Sequence, residues 1–353
     1  MLINEGSGTG NYTKTRDVPF YRLSRLYTHS FTSLRHNFIL ILYQYHLFPR
    51  LYGFYRKAYT VCTHYQNCIA HAPFTKEVDH MTAVTTIKAV WFSPTGTTQK
   101  TVTKIAATLS RELELPLVTD DFTLPKRRTQ ALRFSSHDLV VFGTPVYAGR
   151  VPNVLIKYIK TLSGRGALGV PVVLYGNRNY DDALIELRDA MEEGGIHTVA
   201  AAAFIGEHSF SMVLAAHRPD AADLAKAETF GNAVAEKVRS RATGTAPVFV
   251  RGETPYRPYY TPRLKDGTPI DIRKVTSKIT DDCTYCGICA AVCPMGSLDA
   301  DDPAKFTGIC IKCGACIKGC PRHARYYDDE GYLFHKRDLE EVYTRRAEPE
   351  LFL

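Results

Sequence analysis

The chain has 353 residues, 45% of them hydrophobic, enough for two globular domains and unlike a disordered or collagen-like protein. Its formal charge of +8 is uneven: residues 1 to 80 hold 9 Lys+Arg against 4 Asp+Glu, and the remainder holds 35 against 32. The larger part is therefore nearly neutral and makes no case for nucleic acid or a membrane surface as partner. No apolar run approaches the roughly 18 residues that cross a bilayer; the longest, Phe38 to Phe48, is interrupted by Gln44 and His46. The first ten residues lack the basic and apolar regions of a secretory signal, so a cytoplasmic protein is the expectation.

Residues 1 to 80 carry nine tyrosines and six histidines without a period of 3.6 or 2, and read as an irregular extension. Met81 stands just before the first regular pattern, which suggests it as the native start; a native mass beginning at residue 1 would refute that. Gly6, Gly8 and Gly10 have no preceding strand and do not make a dinucleotide loop, and Cys62, His64, Cys68 and His71 match no common metal spacing.

From residue 81 to 242, apolar strands alternate with amphipathic helices, the pattern of a parallel sheet wound on both faces. Five strands are expected, at 87–92, 116–119, 138–144, 171–175 and 197–205. Val102, Ile105, Ala106 and Leu109, and later Phe230, Val234 and Val238, follow helical spacing. The triplet Lys126, Arg127 and Arg128 falls between elements and reads as a solvated loop. Residues 243–274 lose periodicity and gather Pro, Gly and Tyr, as a surface connector would.

The cysteines come next. Eight of ten lie between Cys283 and Cys320. Cys283, Cys286, Cys289 and Cys293-Pro294 repeat as Cys310, Cys313, Cys316 and Cys320-Pro321. Three thiolates at two-residue gaps wrap one face of an iron–sulfur cubane, and the fourth, followed by proline, reaches the other cubane. By that rule of bacterial two-cluster ferredoxins, Cys283, Cys286, Cys289 and Cys320 hold one [4Fe–4S] cluster, and Cys310, Cys313, Cys316 and Cys293 a second. Zinc favours two pairs across a longer spacer, and disulfides fit the spacing worse still. Gly287 and Gly314 sit inside the tight loops, where backbone N–H groups approach the sulfurs. A small α+β two-cluster module over 275–340, with a tail at 341–353, is expected.

The loop after the first strand is Ser93-Pro94-Thr95-Gly96-Thr97-Thr98. Hydroxyls and glycine at a helix N-terminus offer donors and a positive dipole end to a phosphate. No lysine stands where a P-loop requires one. This loop resembles the Ser/Thr-x-Thr-Gly-x-Thr pattern with which the flavodoxin family holds the FMN phosphate. That family encloses the flavin ring with loops after the third and fourth strands. The matching segments are Gly143-Thr144-Pro145-Val146-Tyr147-Ala148-Gly149-Arg150 and Tyr175-Gly176-Asn177-Arg178-Asn179-Tyr180-Asp181-Asp182. Both lie at the carboxyl ends of expected strands, where open α/β sheets bind ligands.

The resemblance implies that Ser93, Pro94, Thr95, Gly96, Thr97, Thr98, Thr144, Pro145, Val146, Tyr147, Gly149, Gly176, Asn177, Arg178, Tyr180 and Asp182 bind FMN, with Tyr147 and Tyr180 as candidates to stack on the ring. Arg150 and Arg178 depart from the acidic or aromatic residues of many flavodoxins. Positive charge near the ring is then expected to raise the flavin potential; the alternative is an ordinary solvated arginine.

From about 81 to 340 the sequence resembles flavodoxin/ferredoxin fusions: a flavodoxin-like, doubly wound, five-stranded parallel sheet followed by a ferredoxin-like domain. The expected function is oxygen-sensitive electron transfer between FMN and two clusters, with unidentified redox proteins as donor and acceptor. Two alternatives stay open. One is a reductase using NAD(P)H or an organic acceptor, although no second nucleotide fingerprint is seen. The other is a subunit of a larger complex that docks through the connector and the tail. Nothing in the sequence assembles a hydrolytic triad.

Overall fold

In the computed structural model of the chain, residues 83–353 are described. The extension at 1–80, the suggested start at Met81, the early glycines and the Cys62–His71 group lie outside the described residues. The described residues form a compact unit.

Five strand positions build a parallel sheet: β1 (Thr86–Trp91), β2 (Leu117–Asp121), β3 (Asp138–Pro145), β4 (Ala167–Tyr175) and a broken fifth, β5 (Ile196–Thr198) with β6 (Ala201–Ile205). They lie in the order β2-β1-β3-β4-β6, the doubly wound 2-1-3-4-5 arrangement of flavodoxin-like folds. Period-two alternation sends Ile87, Ala89 and Trp91 to one face and Val90 and Phe92 to the other. The first face packs on α1 (Thr97–Leu113) and α4 (Ala221–Arg239), through Val102, Ile105, Leu109, Phe230 and Val234. The second packs on α2 (Asn153–Ile159) and α3 (Ala183–Glu193), through Leu155, Ile159, Leu184 and Leu187.

The expected fifth strand, 197–205, is interrupted for a physical reason. Pro171 sits mid-sheet in β4 and cannot donate to a ladder. Beside it Gly169 pairs with Thr198 and Val172 with Ala202, so the neighbouring strand carries one extra residue and bulges. Strand β4 also starts at Ala167, earlier than the expected 171.

The cluster segment holds a two-stranded antiparallel sheet, β7 (Lys278–Ile279) and β8 (Arg325–Tyr326), and two single-turn helices, α5 (Ile288–Ala291) and α6 (Ala315–Lys318). The sequence repeat is also a backbone repeat. Tyr285 and Lys312 both have φ 54°, and Gly287 and Gly314 have φ 74° and 76°. A last helix, α7 (Glu330–Val342), is capped by Asp329, whose side chain accepts from the Tyr332 N–H at 2.8 Å.

The C-terminal segment is not a free tail: β9 (Glu350–Phe352) pairs antiparallel with β6 and extends the main sheet. The connector at 243–274 is mostly exposed and irregular, and is anchored at a few points. Val248 and Val250 are buried in the core, Tyr256 Oη donates to Asp189 at 2.7 Å, and Tyr259 Oη donates to the Val151 carbonyl at 2.9 Å. Among the described residues no helix is long and apolar enough to cross a membrane.

Candidate functional site

The reversal of strand order between β1 and β3 opens a crevice at the carboxyl edge of the sheet, where such folds place their ligands. A cleft lies there. Pro94, Thr95, Thr97 and Thr98 line it from the loop and first turn of α1; Pro145, Val146 and Tyr147 line it from the loop after β3. Leu174, Tyr175 and Gly176 come from the end of β4, and Gly206, Glu207, His208 and Ser209 from the loop after β6. Cys313 completes the wall from the cluster segment.

The donors suit a phosphate-bearing, ring-shaped ligand. The first N–H groups of α1 have no partner within the helix. Thr98 Oγ1 is buried and makes no hydrogen bond within the protein, as a hydroxyl held for a ligand would. Thr144 Oγ1 is buried and unpartnered in the same way, one residue before the Pro145 wall. Ser93 serves the loop itself: its Oγ accepts from the Gln99 N–H at 3.0 Å, while its N–H donates to Thr123 Oγ1 at 2.8 Å. Gly96 caps α1.

The far wall depends on a close approach. A methyl group on Gly176 would fall 2.2 Å from Cδ2 of the His208 ring, so only glycine lets that ring close the cleft. Burial, with the charges of His335, Lys318 and Arg178 behind it, pushes the His208 pKa down to about 3, so the ring is neutral near pH 7. Its Nδ1 accepts from the Phe210 N–H at 3.1 Å, which leaves the proton on Nε2. Burial would push the neighbouring Glu207 carboxyl up, but hydrogen bonds from Lys318 and the His217 N–H win and hold it below its ordinary value. Half-buried Tyr147 has its phenol raised by desolvation first, then by the nearby thiols of Cys313 and Cys310.

Five residues expected to bind the flavin lie elsewhere. The amide of Asn177 donates to the carbonyls of Tyr343 and Arg345 at 2.7 Å each and accepts from the Ala347 N–H at 3.1 Å, so it pins the returning C-terminal segment. Tyr180 is buried and donates to Glu350 at 2.9 Å. Asp182, fully buried, takes bonds from Arg257 and from the Glu253 N–H, and the Arg257 guanidinium holds its pKa down at about 2. Arg178 pairs with Asp181 and stacks on Tyr260, 4.4 Å from the ring centroid, while Gly149 packs against Asp181. Arg150, the other departure, makes a two-pronged ion pair with Glu186 between the rings of Tyr256 and Tyr259. Asn177, Tyr180 and Asp182 hold the connector and the C-terminus, which sequence pattern could not anticipate, because their partners lie about 70 to 170 residues away. The loop Gly206–Ser209 was missed, although it follows the fifth strand at the same edge and the edge rule alone points to it.

The eight cysteines separate into two cavities. One is lined by Cys283, Cys286, Cys289 and Cys320. The other is lined by Cys293, Cys310, Cys313 and Cys316. Hydrogen bonds run to both sets of sulfurs. In the first, the Ala324 N–H donates to Cys320 at 3.3 Å and Arg325 Nη1 donates to Cys289 at 3.6 Å. In the second, the Ser297 N–H donates to Cys293 at 3.4 Å, while Ser277 Oγ lies 3.7 Å from Cys316 and Tyr327 Oη 3.8 Å from Cys310.

Arg325 tests what the first cavity is built to hold. It is 4% exposed and donates to the Pro303 carbonyl at 2.7 and 2.8 Å, yet none of the ion pairs among the described residues gives it a carboxylate. A buried cation needs a counter-charge, and an anionic thiolate-bound cluster beside Cys289 would supply one.

The triplet Lys126–Arg128 is not simply a solvated loop. Arg128 donates to the carbonyls of Phe122 at 2.8 Å and Pro294 at 2.6 Å, and so ties the sheet domain to the cluster segment.

Comparison with known proteins agrees with this division. A flavodoxin-domain model matches residues 89–218, and a 4Fe–4S binding-domain model matches residues 277–299, which include the first cysteine run. No curated protein matches the chain. Among solved structures, a flavodoxin from the domain Archaea is 16% identical, with 44% of this chain and 99% of that chain covered and a TM-score of 0.29. A Streptococcus pneumoniae flavodoxin is 20% identical, with 44% and 99% covered and a TM-score of 0.31. A rubredoxin:oxygen oxidoreductase from Desulfovibrio gigas is 14% identical, with 47% and 39% covered and a TM-score of 0.35. Residues 89–218 match a flavodoxin domain and residues 277–299 a 4Fe–4S binding domain, an order consistent with a flavodoxin/ferredoxin fusion and supporting an electron-transfer role that involves flavin and iron–sulfur.

Proposed function

We propose that this chain relays electrons between FMN and two [4Fe–4S] clusters, and exchanges them with separate redox proteins. The observation that carries the proposal is the separation of eight thiols into two cavities of four, in the crossed pattern of two-cluster ferredoxins. When bound, FMN handles electrons singly or in pairs and each cluster handles one, which links the two kinds of chemistry.

The chain's own residues do the rest. The α1 N-terminus with Thr95, Thr97 and Thr98 holds the phosphate end, and Tyr147, Tyr175, Gly176 and neutral His208 frame the ring end. Cys283, Cys286, Cys289 and Cys320 hold one cluster, and Cys293, Cys310, Cys313 and Cys316 the other. The N–H and O–H donors at the sulfurs set the potentials. Eight cysteines spaced for cluster ligation rather than for disulfides suit a reducing compartment, so an intracellular setting belongs to the proposal.

The test is an anaerobic visible spectrum of the full chain, with flavin and iron assays, before and after NADH or NADPH and then dithionite. One FMN and about eight irons, with bleaching by dithionite and none by nicotinamide, is the expected result. Bleaching by a nicotinamide would replace the carrier reading with a reductase, and about four irons would remove one cluster.

A further inference from the structure

The two cysteine runs are near copies in sequence and in backbone, yet their middle cysteines have opposite surroundings. Cys286 is exposed at the surface. Its counterpart Cys313 is 8% exposed and lines both its own four-cysteine cavity and the flavin cleft. The other cavity is lined only by residues between Cys283 and Arg325, with no contribution from the sheet domain.

The contacts that dock the cluster segment explain the asymmetry. A methyl group on Gly314, next to Cys313, would fall 2.4 Å from the Ser209 carbonyl oxygen in the cleft wall, so the glycine permits a backbone-to-backbone approach. Lys318, on α6, pairs with Glu207 and donates to the carbonyls of His208 and Ser211 at 2.9 Å each. On the opposite side Arg128 holds the Pro294 carbonyl, and Pro125 lies in van der Waals range of a methyl group on Gly296. These attachments arise from residues 294–296 and 314–318, which adjoin Cys293, Cys313 and Cys316, ligands of the second site.

We infer that the site of Cys293, Cys310, Cys313 and Cys316 exchanges electrons directly with the flavin, with Cys313 as the facing thiolate. The site of Cys283, Cys286, Cys289 and Cys320 takes them from or gives them to the external partner at exposed Cys286. The inference rests on the two-cluster, FMN reading above and adds an order to it: partner, first site, second site, flavin. One electron passes at each step and no bond to the protein forms or breaks. Two molecules of a one-electron redox protein, each oxidised by one electron, together reduce the flavin by two, and the flavin takes its protons from solvent.

The test compares Cys313→Ser with Cys286→Ser, two equivalent positions, in the full chain loaded anaerobically with iron, sulfide and FMN. The measurements are iron content, the FMN dissociation constant by fluorescence titration, and the FMN midpoint potential. Cys313→Ser is expected to weaken FMN binding about fivefold or more, the scale of one lost buried contact, and to shift the FMN potential. Cys286→Ser is expected to alter the cluster spectrum and leave both FMN quantities in place.

If Cys313→Ser sheds iron, Gly314→Ala, which keeps all eight thiols, takes its place: its methyl presses the loop off Ser209, and the same FMN effects are expected at full iron content. FMN quantities that respond equally to both serine variants, or to neither Cys313→Ser nor Gly314→Ala, would overturn the order. A wild-type chain that holds no FMN, or half the iron, would instead sink the underlying reading.

Discussion

Arg325 shows how much one side chain decides. Its guanidinium is anchored by the Pro303 carbonyl and Ser277 Oγ and reaches the Cys289 sulfur at 3.6 Å, so a positive charge and an N–H are both fixed beside one cluster site. Each favours the more negative, reduced state, and taking them away lowers the potential. Arg325→Gln is expected to lower the midpoint of one cluster by roughly 50–100 mV, from the ~1.5–3 kcal/mol of a hydrogen bond to a charged group, discounted for the long contact. On the two-cluster proposal the second midpoint should move less, through the Ser277 hydroxyl, which Arg325 bonds and which lies 3.7 Å from the Cys316 sulfur. A redox titration followed by visible absorption reads this directly, and two equally moved midpoints would mean a structural disturbance. Arg325 was not legible in the sequence, because an arginine five residues after the last cysteine carries no pattern that distinguishes a buried counter-charge from an ordinary surface residue.

At the scale of elements, the parallel strands and the two long helices followed from periodicity, and the cysteine runs followed from spacing. The short helix α2, with α3 and α7, and the edge strand β9 escaped. Strand β9 is three residues long, too short for alternation to register, and it exists because Asn177, Tyr180 and Arg218 seize the chain that leads into it. The same fact explains why Asn177 looked like a flavin ligand: it stands at the carboxyl edge of β4 but turns toward the C-terminus. Asn177→Ala would leave the carbonyls of Tyr343 and Arg345 and the Ala347 N–H without their partner. The expected loss of stability is about 2–4 kcal/mol, as buried polar groups lose their bonds. Chemical denaturation checks the magnitude, and FMN affinity checks the assignment. A stable variant that no longer binds FMN would return Asn177 to the cleft.

The whole molecule is laced twice. The connector before the cluster segment is stitched to the sheet domain by Val248, Tyr256, Arg257 and Tyr259, and the segment after it returns through α7 to β9. Between these anchors the cluster segment has little apolar core of its own: Leu298 is buried together with Cys289 and Cys316, and a second group centres on Val275, Tyr327 and Tyr332. On the proposed function a core so small would draw much of its stability from bound iron–sulfur, whereas the sheet domain has apolar layers on both faces. Iron removal should therefore loosen residues 281–329 as a closed loop and leave the sheet domain folded, a local opening with both ends fixed. Limited proteolysis after anaerobic chelation is expected to cut within 281–329, and the C-terminal fragment should still co-elute with the sheet domain on size exclusion, held by β9 and Asn177. Release of that fragment would show that the C-terminal strand depends on the clusters, and cuts spread through the sheet domain would show that the two parts fold as one.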